Sequence, residues 1–136
     1  MRNLITICLW LLISMPGYAI PAVVDYVIDG DTFDVVARLA DDISADVRVR
    51  IINIDTPEMN GKCDLEIEMA YRAKDKLSEI LPSGTVIDLK NIQDDKYLGR
   101  IDANVILPDG RDVGRILIDA GLARSYDGGK RIGWCN

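Results

Sequence analysis

The sequence contains no histidine among its 136 residues, and aromatic residues make up only 6% of it. Without an imidazole, the chain cannot build a Ser-His or Cys-His catalytic pair or a zinc site that uses histidine. Any general base in this protein is therefore a carboxylate or, less readily, a lysine or a tyrosine. The few aromatic side chains also argue against a surface devoted to stacking on nucleic-acid bases.

Basic residues are outnumbered by acidic ones. The chain has 16 lysines and arginines against 22 aspartates and glutamates, which gives a net charge of −6. Net charge governs long-range attraction, whereas a local cluster of arginines can still bind phosphate. The balance therefore argues against tight non-specific binding of nucleic acid more than it argues against catalysis on nucleic acid.

The longest apolar run lies at the N-terminus. Arg2 precedes the run LITICLWLLISM, and Gly17 and Ala19 occupy the two positions that signal peptidases inspect. The pattern predicts a signal peptide at residues 1–19 and a mature domain at residues 20–136, periplasmic or secreted and without stable membrane association. Cleavage would remove the charge of Arg2 and change the net charge from −6 to −7. An uncleaved membrane anchor is the alternative, although the run is shorter than the roughly 20 residues that a spanning helix needs.

Cysteine is also rare, with three residues in the chain. Cys8 would leave with the leader, so the mature domain would keep Cys63 and Cys135. Two cysteines in an exported protein most simply pair, and closing so long a loop would stabilise the fold by roughly 4 kcal/mol. Two free thiols are the alternative.

The first half of the domain has the patterns of β-strands. Residues 23–39 contain two stretches of β-branched and aromatic residues around Asp29-Gly30, a dipeptide that favours tight turns, and predict a hairpin. The polar segment ADDISAD, residues 40–46, predicts a loop. The segment VRVRIINI, residues 47–54, predicts a third strand that is solvated at one end.

Helical spacing follows. We expect Asp64 to cap a helix whose first turn carries Glu66 and Glu68, with the sign of charge that the helix dipole favours there. The apolar face of this helix recurs at helical spacing through Met69, Ala73, Leu77 and Ile80 or Leu81. Residues 85–92 and 100–107 predict two more strands, and residues 113–121 predict a short helix, after which the tail is expected to be irregular.

This order of elements predicts an α+β fold. It is the order of a five-stranded OB-fold barrel with a long helix between strands 3 and 4 and a short helix after strand 5. Such barrels often bind nucleic acids or sugars. Several other small α+β folds share the same order of elements, so the order alone does not decide between them.

Charged side chains are concentrated where the predicted strands end. Segments 28–32, 50–58 and 95–100 supply carboxylates and guanidiniums, namely Asp31, Asp55, Glu58, Arg50 and Arg100. Two close carboxylates repel each other unless a cation joins them, and oxygen ligands at flexible strand ends suit Ca²⁺. Arginines beside such a metal would hold phosphate oxygens, and Glu58 would orient or deprotonate water. Taken singly, each motif is more simply a turn or a surface ion pair.

Together these motifs resemble the staphylococcal nuclease-like, or thermonuclease, family. Four motifs occur in the family's order over roughly residues 23–126: Asp29-Gly30-Asp31-Thr32, Arg50 running into Asp55-Thr56-Pro57-Glu58, Lys96-Tyr97-Leu98-Gly99-Arg100, and Gly121-Leu122-Ala123. The resemblance implies an OB-fold endonuclease that uses Ca²⁺ to hydrolyse phosphodiester bonds of DNA and RNA with low sequence specificity. It also implies that single strands are favoured, and we expect a monomer.

The resemblance assigns roles to individual residues. Asp31 and Asp55 would ligate calcium through their side chains, and Thr56 through its backbone carbonyl. Glu58 would act on the attacking water as a general base or an orienting group. Substrate binding would fall to Arg50 and Arg100 at the scissile phosphate and its transition state, and to Lys96, Tyr97 and Tyr126 at the nucleotide.

Two features depart from the family pattern. Leu98 is an extra residue in the turn before Arg100, so the reach of this arginine depends on how the turn absorbs it. The sequence also stops soon after residues 121–123, where the staphylococcal member continues into a third helix. A bridge between Cys63 and Cys135 would hold this short tail against the site loop instead.

The competing function is a non-catalytic OB-fold module that binds nucleic acid or another partner. A pure binder has no need of Glu58 beside two metal-binding carboxylates and two arginines. The sequence therefore favours the enzyme.

Overall fold

In the computed structural model, which describes residues 19–135, seven strands and two helices follow one another. The strands are β1 (Ile20–Val27), β2 (Thr32–Ala40), β3 (Ile43–Ile51), β4 (Ile54–Asp55), β5 (Val86–Asp94), β6 (Arg100–Ile106) and β7 (Arg124–Ser125). The helices are α1 (Asp64–Ile80) and α2 (Val113–Asp119). The predicted leader lies outside the described residues apart from Ala19. Within the described part, neither helix is long and apolar enough to cross a membrane.

Five strands of the described region close into a barrel in the order β1-β2-β3-β6-β5. Neighbouring strands are antiparallel except β3 and β6, which pair in parallel from Arg48 opposite Arg100 to Ile51 opposite Ala103. Pairing of β1 with β5 completes the closure. Because α1 lies between the third and fourth barrel strands and α2 follows the fifth, the predicted α+β OB-fold barrel is confirmed.

The barrel encloses the core because its strands alternate buried and exposed residues. In β2, Phe33, Val35 and Ala37 are buried, whereas Val36, which lies between Val35 and Ala37, faces outward. The largest fully buried side chains are Phe33, Ile51, Leu77, Leu81, Ile87, Leu89 and Leu117. Burial of each such side chain stabilises the fold by roughly 1.5–3 kcal/mol. This core fixes the strand ends that carry the charged motifs.

Two connections in the first half of the chain differ from the prediction. Residues 28–31 join β1 to β2, a longer connection than the tight turn predicted at Asp29-Gly30. The loop predicted at residues 40–46 is wrong, because β3 begins at Ile43 and pairs with β2 after a two-residue turn. This end of the hairpin is exposed on both faces, so its residues are polar enough to resemble a loop.

The third predicted strand, residues 47–54, is divided in two. β3 ends at Ile51, Asn53 has a left-handed φ of 64°, and β4 follows it. β4 pairs with β7, with Ile54 opposite Ser125 and Asp55 opposite Arg124. The rest of the tail is irregular as predicted, but β7 has only two residues, too few for an alternating pattern to reveal.

The start of α1 also corrects the prediction. The N-cap is Cys63 rather than Asp64, and the Glu66 amide donates to the Cys63 Sγ at 3.5 Å. Glu66 is 6% exposed and faces inward, so it is not a solvated charge in the first turn. The predicted apolar spacing is confirmed at Ala73 and Leu77, which are both fully buried.

A disulfide joins Cys63 to Cys135, as the sequence predicts, across a separation of 72 residues. It ties the start of α1 to the end of the tail. Trp134, the residue before the bridge, is buried and stacks on Arg124, whose guanidinium carbon lies 3.7 Å from the ring centroid. The tail therefore ends in a packed and covalently closed position.

Gly30 marks the point where the β1–β2 loop meets α1 and the segment after β4. A Cβ atom at this position would lie 2.7 Å from the Ala73 Cβ and 3.4 Å from Thr56. Because Gly30 does not have a positive φ, its lack of a side chain serves close packing rather than the turn itself. The two acidic motifs, at residues 28–32 and 55–58, are thereby brought together.

Gly30→Ala should destabilise the fold by about 1–3 kcal/mol, because the added methyl group forces α1 and the loop apart. Urea unfolding followed by circular dichroism measures this loss. Gly133→Ala is the matched control, since a Cβ there meets no atom within 4 Å, and it should change the free energy of unfolding by less than about 0.5 kcal/mol. Equal stabilities of the two variants would contradict the packing at Gly30.

Candidate active site

A polar cleft of about 600 Å³ lies where the β1–β2 loop, the end of β3 and the β5–β6 turn meet. Seven of the residues singled out in the sequence line it: Asp31, Arg50, Glu58, Lys96, Tyr97, Arg100 and Tyr126. The charged lining comprises four basic residues, Arg50, Lys96, Arg100 and Arg131, and five acidic ones, Asp29, Asp31, Glu58, Asp95 and Asp102. The cleft is therefore nearly balanced in charge although the chain is acidic.

Arg50 and Asp31 form an ion pair on one wall of the cleft. Arg50 lies opposite Thr32 in the β2–β3 ladder, which brings its Nη2 within 3.8 Å of Asp31 Oδ2. The same nitrogen donates to the Ile54 carbonyl at 3.5 Å, and the Thr32 hydroxyl donates to Asp31 at 2.8 Å. The two charged side chains are only 16% and 14% exposed, so solvent screens this pair less than one on the open surface.

Asp55 and Thr56 do not line this cleft. Both are buried, at 5% and 4% exposure. Asp55 borders a neighbouring cavity that also contains Tyr126, and Thr56 packs beside Gly30. Asp55 is connected to the cleft through Arg131, whose Nε lies 3.6 Å from Asp55 Oδ1.

The expected calcium ligands comprise two carboxylates, Asp31 and Asp55, and the Thr56 carbonyl. Among residues 19–135, no group of three or more histidine, cysteine, aspartate or glutamate side chains is arranged to hold a metal ion. The expected calcium site would use only two carboxylate side chains, so it does not require such a group. All three donors are oxygens, the type that Ca²⁺ takes, and water supplies the other ligands at such sites. Because Gly30 packs directly on Thr56, the two segments that carry the donors lie side by side, and their chemistry fits this ion.

Glu58 projects into the cleft from a loop whose backbone is hydrogen-bonded to the buried Glu66. Its side chain is 52% exposed, and its carboxylate accepts a hydrogen bond from Arg131 Nη1 at 2.9 Å. The backbone amides of Glu58 and Lys62 donate to the buried carboxylate of Glu66 at 3.1 and 3.3 Å. A Cβ at Gly61 would lie 2.5 Å from Glu66 Cγ, so the loop closes around Glu66 only with glycine there. This wrapping fixes the backbone from which Glu58 projects.

The turn before β6 absorbs Leu98 without moving Arg100 out of the cleft. Leu98 is fully exposed and Gly99 has a φ of 80°. The Arg100 side chain is 22% exposed, and its Nε lies 3.0 Å from Asp95 Oδ2. Its guanidinium carbon lies 4.5 Å from the centroid of the Tyr97 ring. The extra residue therefore bulges into solvent.

Lys96, Tyr97 and Tyr126 surround the charged groups. Lys96 Nζ lies 5.2 Å from the Tyr97 ring centroid, and Tyr97 is 56% exposed. Tyr126 directly follows β7, where its amide donates to the Asn53 carbonyl at 2.9 Å and its hydroxyl to the Gly129 carbonyl at 2.6 Å. Two tyrosine rings thus lie beside the ion pairs.

Asp95 and Asp102 form a carboxylate pair beside Arg100. Burial and the neighbouring carboxylate of Asp95 raise the pKa of Asp102 to about 6. Burial opposes ionisation of Asp95, but the neighbouring Asp102, the hydrogen bond from the Tyr97 amide and the guanidinium of Arg100 outweigh it and lower the pKa of Asp95 to about 2. Burial and the charge of Asp31 likewise raise the pKa of Asp29 to about 6. Negative charge in the cleft is therefore lower in mild acid than the number of carboxylates suggests.

Comparison with known proteins agrees with this arrangement. A family model described as "Staphylococcal nuclease homologue" matches residues 48–131. The chain belongs to the staphylococcal nuclease family. It is 35% identical over 101 residues to an "Uncharacterized endonuclease" of Escherichia coli, and 34% identical over 101 residues to a protein with the same name from Escherichia coli O157:H7. Each alignment covers 74% of this chain and 58% of the relative, so the chain spans a little over half the length of these relatives.

In this member of the staphylococcal nuclease family, both predicted phosphate-binding arginines are ion-paired. Arg50 pairs with Asp31 and Arg100 with Asp95. The simpler alternative, in which they are partners of acidic neighbours, is therefore correct about the contacts. It does not explain why both ion pairs line the same cleft, because unrelated ion pairs would lie at separate places on the surface.

Sequence reasoning missed two side chains of this staphylococcal nuclease-type cleft, Arg131 and Asp102, and the inward position of Glu66 behind it. Glu66 stands three residues after the N-cap of α1, a spacing typical of a helix start in which the glutamate turns back toward the preceding loop. Arg131 lies four residues before Cys135, so the predicted bridge already implied that it would lie near the loop of Glu58. Asp102 has no comparable signal, because only the parallel register of β3 with β6 brings it opposite Arg50.

The unaltered protein should lose stability as pH rises, and Asp102→Asn should reduce this loss. The pKa of Asp102 is about 6 in the folded protein against an ordinary 3.8, so the folded state keeps its proton longer. The free energy of unfolding therefore falls as pH rises from about 4 to about 6, and the asparagine, which has no proton to lose, should reduce this slope. At pH 7, where the unaltered protein has lost this proton, the variant should be the more stable of the two.

Urea unfolding at a series of pH values, with chelator present, measures the slope. Asp75→Asn is the control, since Asp75 lies on the exposed face of α1, away from the cleft. It should keep the slope of the unaltered protein. A slope that Asp102→Asn leaves unchanged would contradict the raised pKa of Asp102.

Proposed function

We propose that this protein is an endonuclease that hydrolyses phosphodiester bonds of DNA and RNA with low sequence specificity. The observation that carries the proposal is that Glu58, Arg50 and Arg100 line one cleft. A carboxylate that handles water beside two cations that bind phosphate is the minimum set for this reaction. Membership of the family, and two relatives named as endonucleases, support the same activity.

Arg50 and Arg100 would bind the scissile phosphate. A guanidinium presents several N–H donors in one plane, which match two phosphate oxygens at once. Asp31 and Asp95 hold the two guanidiniums in place before the substrate arrives. As negative charge builds up on the phosphoryl oxygens, the hydrogen bonds from these arginines strengthen and lower the barrier.

Glu58 would orient or deprotonate the attacking water. Its half-exposed carboxylate is accessible from the cleft, and the bond from Arg131 uses Oε1, which leaves Oε2 to accept from water. Since the chain has no histidine, a carboxylate is the expected base.

Calcium is the proposed cofactor. The side chains of Asp31 and Asp55 and the backbone carbonyl of Thr56 would hold it, with water completing the shell. When bound, it would neutralise charge on a phosphoryl oxygen. Both carboxylates already lie near positive charge, since Arg50 and Arg131 approach them at 3.8 and 3.6 Å.

Single-stranded nucleic acid is the proposed preferred substrate. Tyr97 and Tyr126 offer rings on which unpaired bases can stack, and Lys96 adds a charge for the backbone. A duplex hides the faces of its bases from such rings. The predicted leader would export the protein to the periplasm or the medium, where we propose that it acts as a monomer.

Hydrolysis should appear when Ca²⁺ is added and disappear with excess chelator. Gel assays on plasmid, denatured DNA and RNA measure it, and denatured DNA and RNA should be cut faster than duplex DNA. Calcium added in excess over the chelator should restore the rate. Cleavage that persists in chelator would contradict the cofactor, whereas no cleavage of any substrate would contradict the nuclease.

Glu58→Gln and Arg100→Ala should each lower kcat by about 10²–10⁴-fold, because one loses the group that handles water and the other a charge that stabilises the transition state. Circular dichroism should show that both variants remain folded. Rates equal to that of the unaltered protein in both variants would mean that the site is misassigned.

Two surface variants serve as controls, because each makes the same kind of substitution at a residue outside the cleft. Glu68→Gln removes an exposed glutamate of α1 whose partner is Arg72 at 2.7 Å. Arg111→Ala removes an exposed arginine whose partner is Asp109 at 2.7 Å. Both should cleave within about twofold of the unaltered rate, since neither residue lines the cleft.

A further inference from the structure

The tail after β7 borders the proposed active site, where its residues Tyr126 and Arg131 line the cleft, and it is attached to the rest of the protein at several points. The Tyr126 hydroxyl donates to the Gly129 carbonyl at 2.6 Å, which closes the first turn of the tail. Arg124 reaches the far end, where its Nη1 donates to the carbonyls of Ile132 and Gly133 at 2.9 and 3.0 Å. Residues 130 and 131 lie between these two attachments.

The end of the tail is joined to the loop that carries Glu58. Cys135 is bonded to Cys63, which directly follows that loop and caps α1. The Cys135 sulfur lies 3.7 Å from Oε1 of Glu66, the buried carboxylate that accepts from the Glu58 amide. Tail and loop therefore meet at a covalent bond and at one buried charge.

Between these attachments, Arg131 extends into the cleft. Its Nη1 lies 2.9 Å from Glu58 Oε1, and its Nε lies 3.6 Å from Asp55 Oδ1. Its guanidinium carbon lies 5.6 Å from the Tyr126 ring centroid. In the part of the chain that the structure describes, Arg131 is the one side chain that forms an ion pair with Glu58.

We propose that Arg131 is a positioning residue for Glu58, and that the Cys63–Cys135 bridge holds it in that role. This inference rests on the proposed nuclease function. A half-exposed glutamate can adopt several rotamers, and a charge-assisted hydrogen bond to one oxygen restricts them. The other oxygen then has a defined place for water. In such reactions a misplacement of about 1 Å can cost about 100-fold in rate.

The bridge is needed because the ion pair alone is weak. Arg131 and Glu58 are 48% and 52% exposed, and pairs between exposed side chains contribute little in water. The covalent bond holds the two segments together and so raises the effective concentration of the guanidinium at the carboxylate. Loss of the bridge should therefore remove the partner of Glu58 while the barrel stays folded.

Steady-state kinetics with Ca²⁺ test the role. Arg131→Gln should lower kcat by about 10–100-fold, because Glu58 loses the side chain that positions it. KM should change by less than about threefold, because Arg50 and Arg100 would still bind the substrate. Arg131→Lys, which keeps the charge, should recover most of kcat. Arg115→Gln is the matched control, since it removes the same charge from an exposed arginine of α2 that pairs with Asp119 away from the cleft, and it should leave both constants unchanged. An unchanged kcat in Arg131→Gln would overturn the proposal.

A double-mutant cycle separates positioning from direct binding of phosphate. If Arg131 acts through Glu58, adding Arg131→Gln to Glu58→Gln should lower the rate by less than about twofold. If Arg131 binds the substrate itself, the full loss should recur in the double variant, and that result would overturn the proposal.

The bridge is tested by Cys63→Ser with Cys135→Ser. This double variant should lose kcat to about the same extent as Arg131→Gln, and combining the two changes should cause no further loss. If the double variant does not fold by circular dichroism, reduction of the unaltered protein replaces it, and reoxidation should restore the rate. Full activity of a folded protein without the bridge would overturn the role of the disulfide.

The pairing is also measurable without substrate. The Arg131 side-chain N–H signal in a ¹⁵N NMR spectrum, assigned by its absence in Arg131→Lys, should shift in Glu58→Gln and after reduction of the bridge. A protein that shows these shifts but cleaves no nucleic acid would overturn the proposed function and keep the pairing. A protein that cleaves nucleic acid but shows no shift in Glu58→Gln would overturn this inference alone.

Discussion

The geometry of the site depends on one buried carboxylate, that of Glu66. A charge removed from water costs free energy unless hydrogen bonds compensate it, so nearby donors must turn toward it. The amides of Glu58 and Lys62 do so, and the loop between them curves around the carboxylate with glycine at position 61. Because α1 is packed into the core through Leu77, this contact fixes the position of Glu58 relative to the barrel.

The second constraint is charge compensation in an acidic chain. Three arginines of the cleft each face a carboxylate: Arg50 faces Asp31, Arg100 faces Asp95, and Arg131 faces Glu58. These pairs hold long side chains in defined places and reduce repulsion among the carboxylates. A net charge of −6 weakens long-range attraction of nucleic acid, but it does not decide what a cleft with nearly balanced charge can bind.

The sequence predicted features set by neighbouring residues better than contacts between distant segments. The β-branched composition of residues 23–39 and the helical spacing at Ala73 and Leu77 belong to neighbouring residues, so they are visible in a single segment. The pairing of β4 with β7 and the inward position of Glu66 depend on distant partners, and no periodicity reveals them. Family resemblance, rather than periodicity, indicated that Arg50 and Glu58 belong to one site, and it did not indicate that Asp55 lies behind the cleft.

The tail shows how a covalent bond can take the place of a hydrophobic core. Ordering a backbone costs roughly 1–2 kcal/mol per residue, and the tail after β7 buries one large apolar side chain, that of Trp134. A few exposed ion pairs do not offset such a cost. The disulfide offsets much of this cost because it restricts the unfolded chain. Arg124 adds hydrogen bonds to two backbone carbonyls of the tail. An irregular segment is thereby kept beside the cleft, to which it contributes Tyr126 and the guanidinium of Arg131.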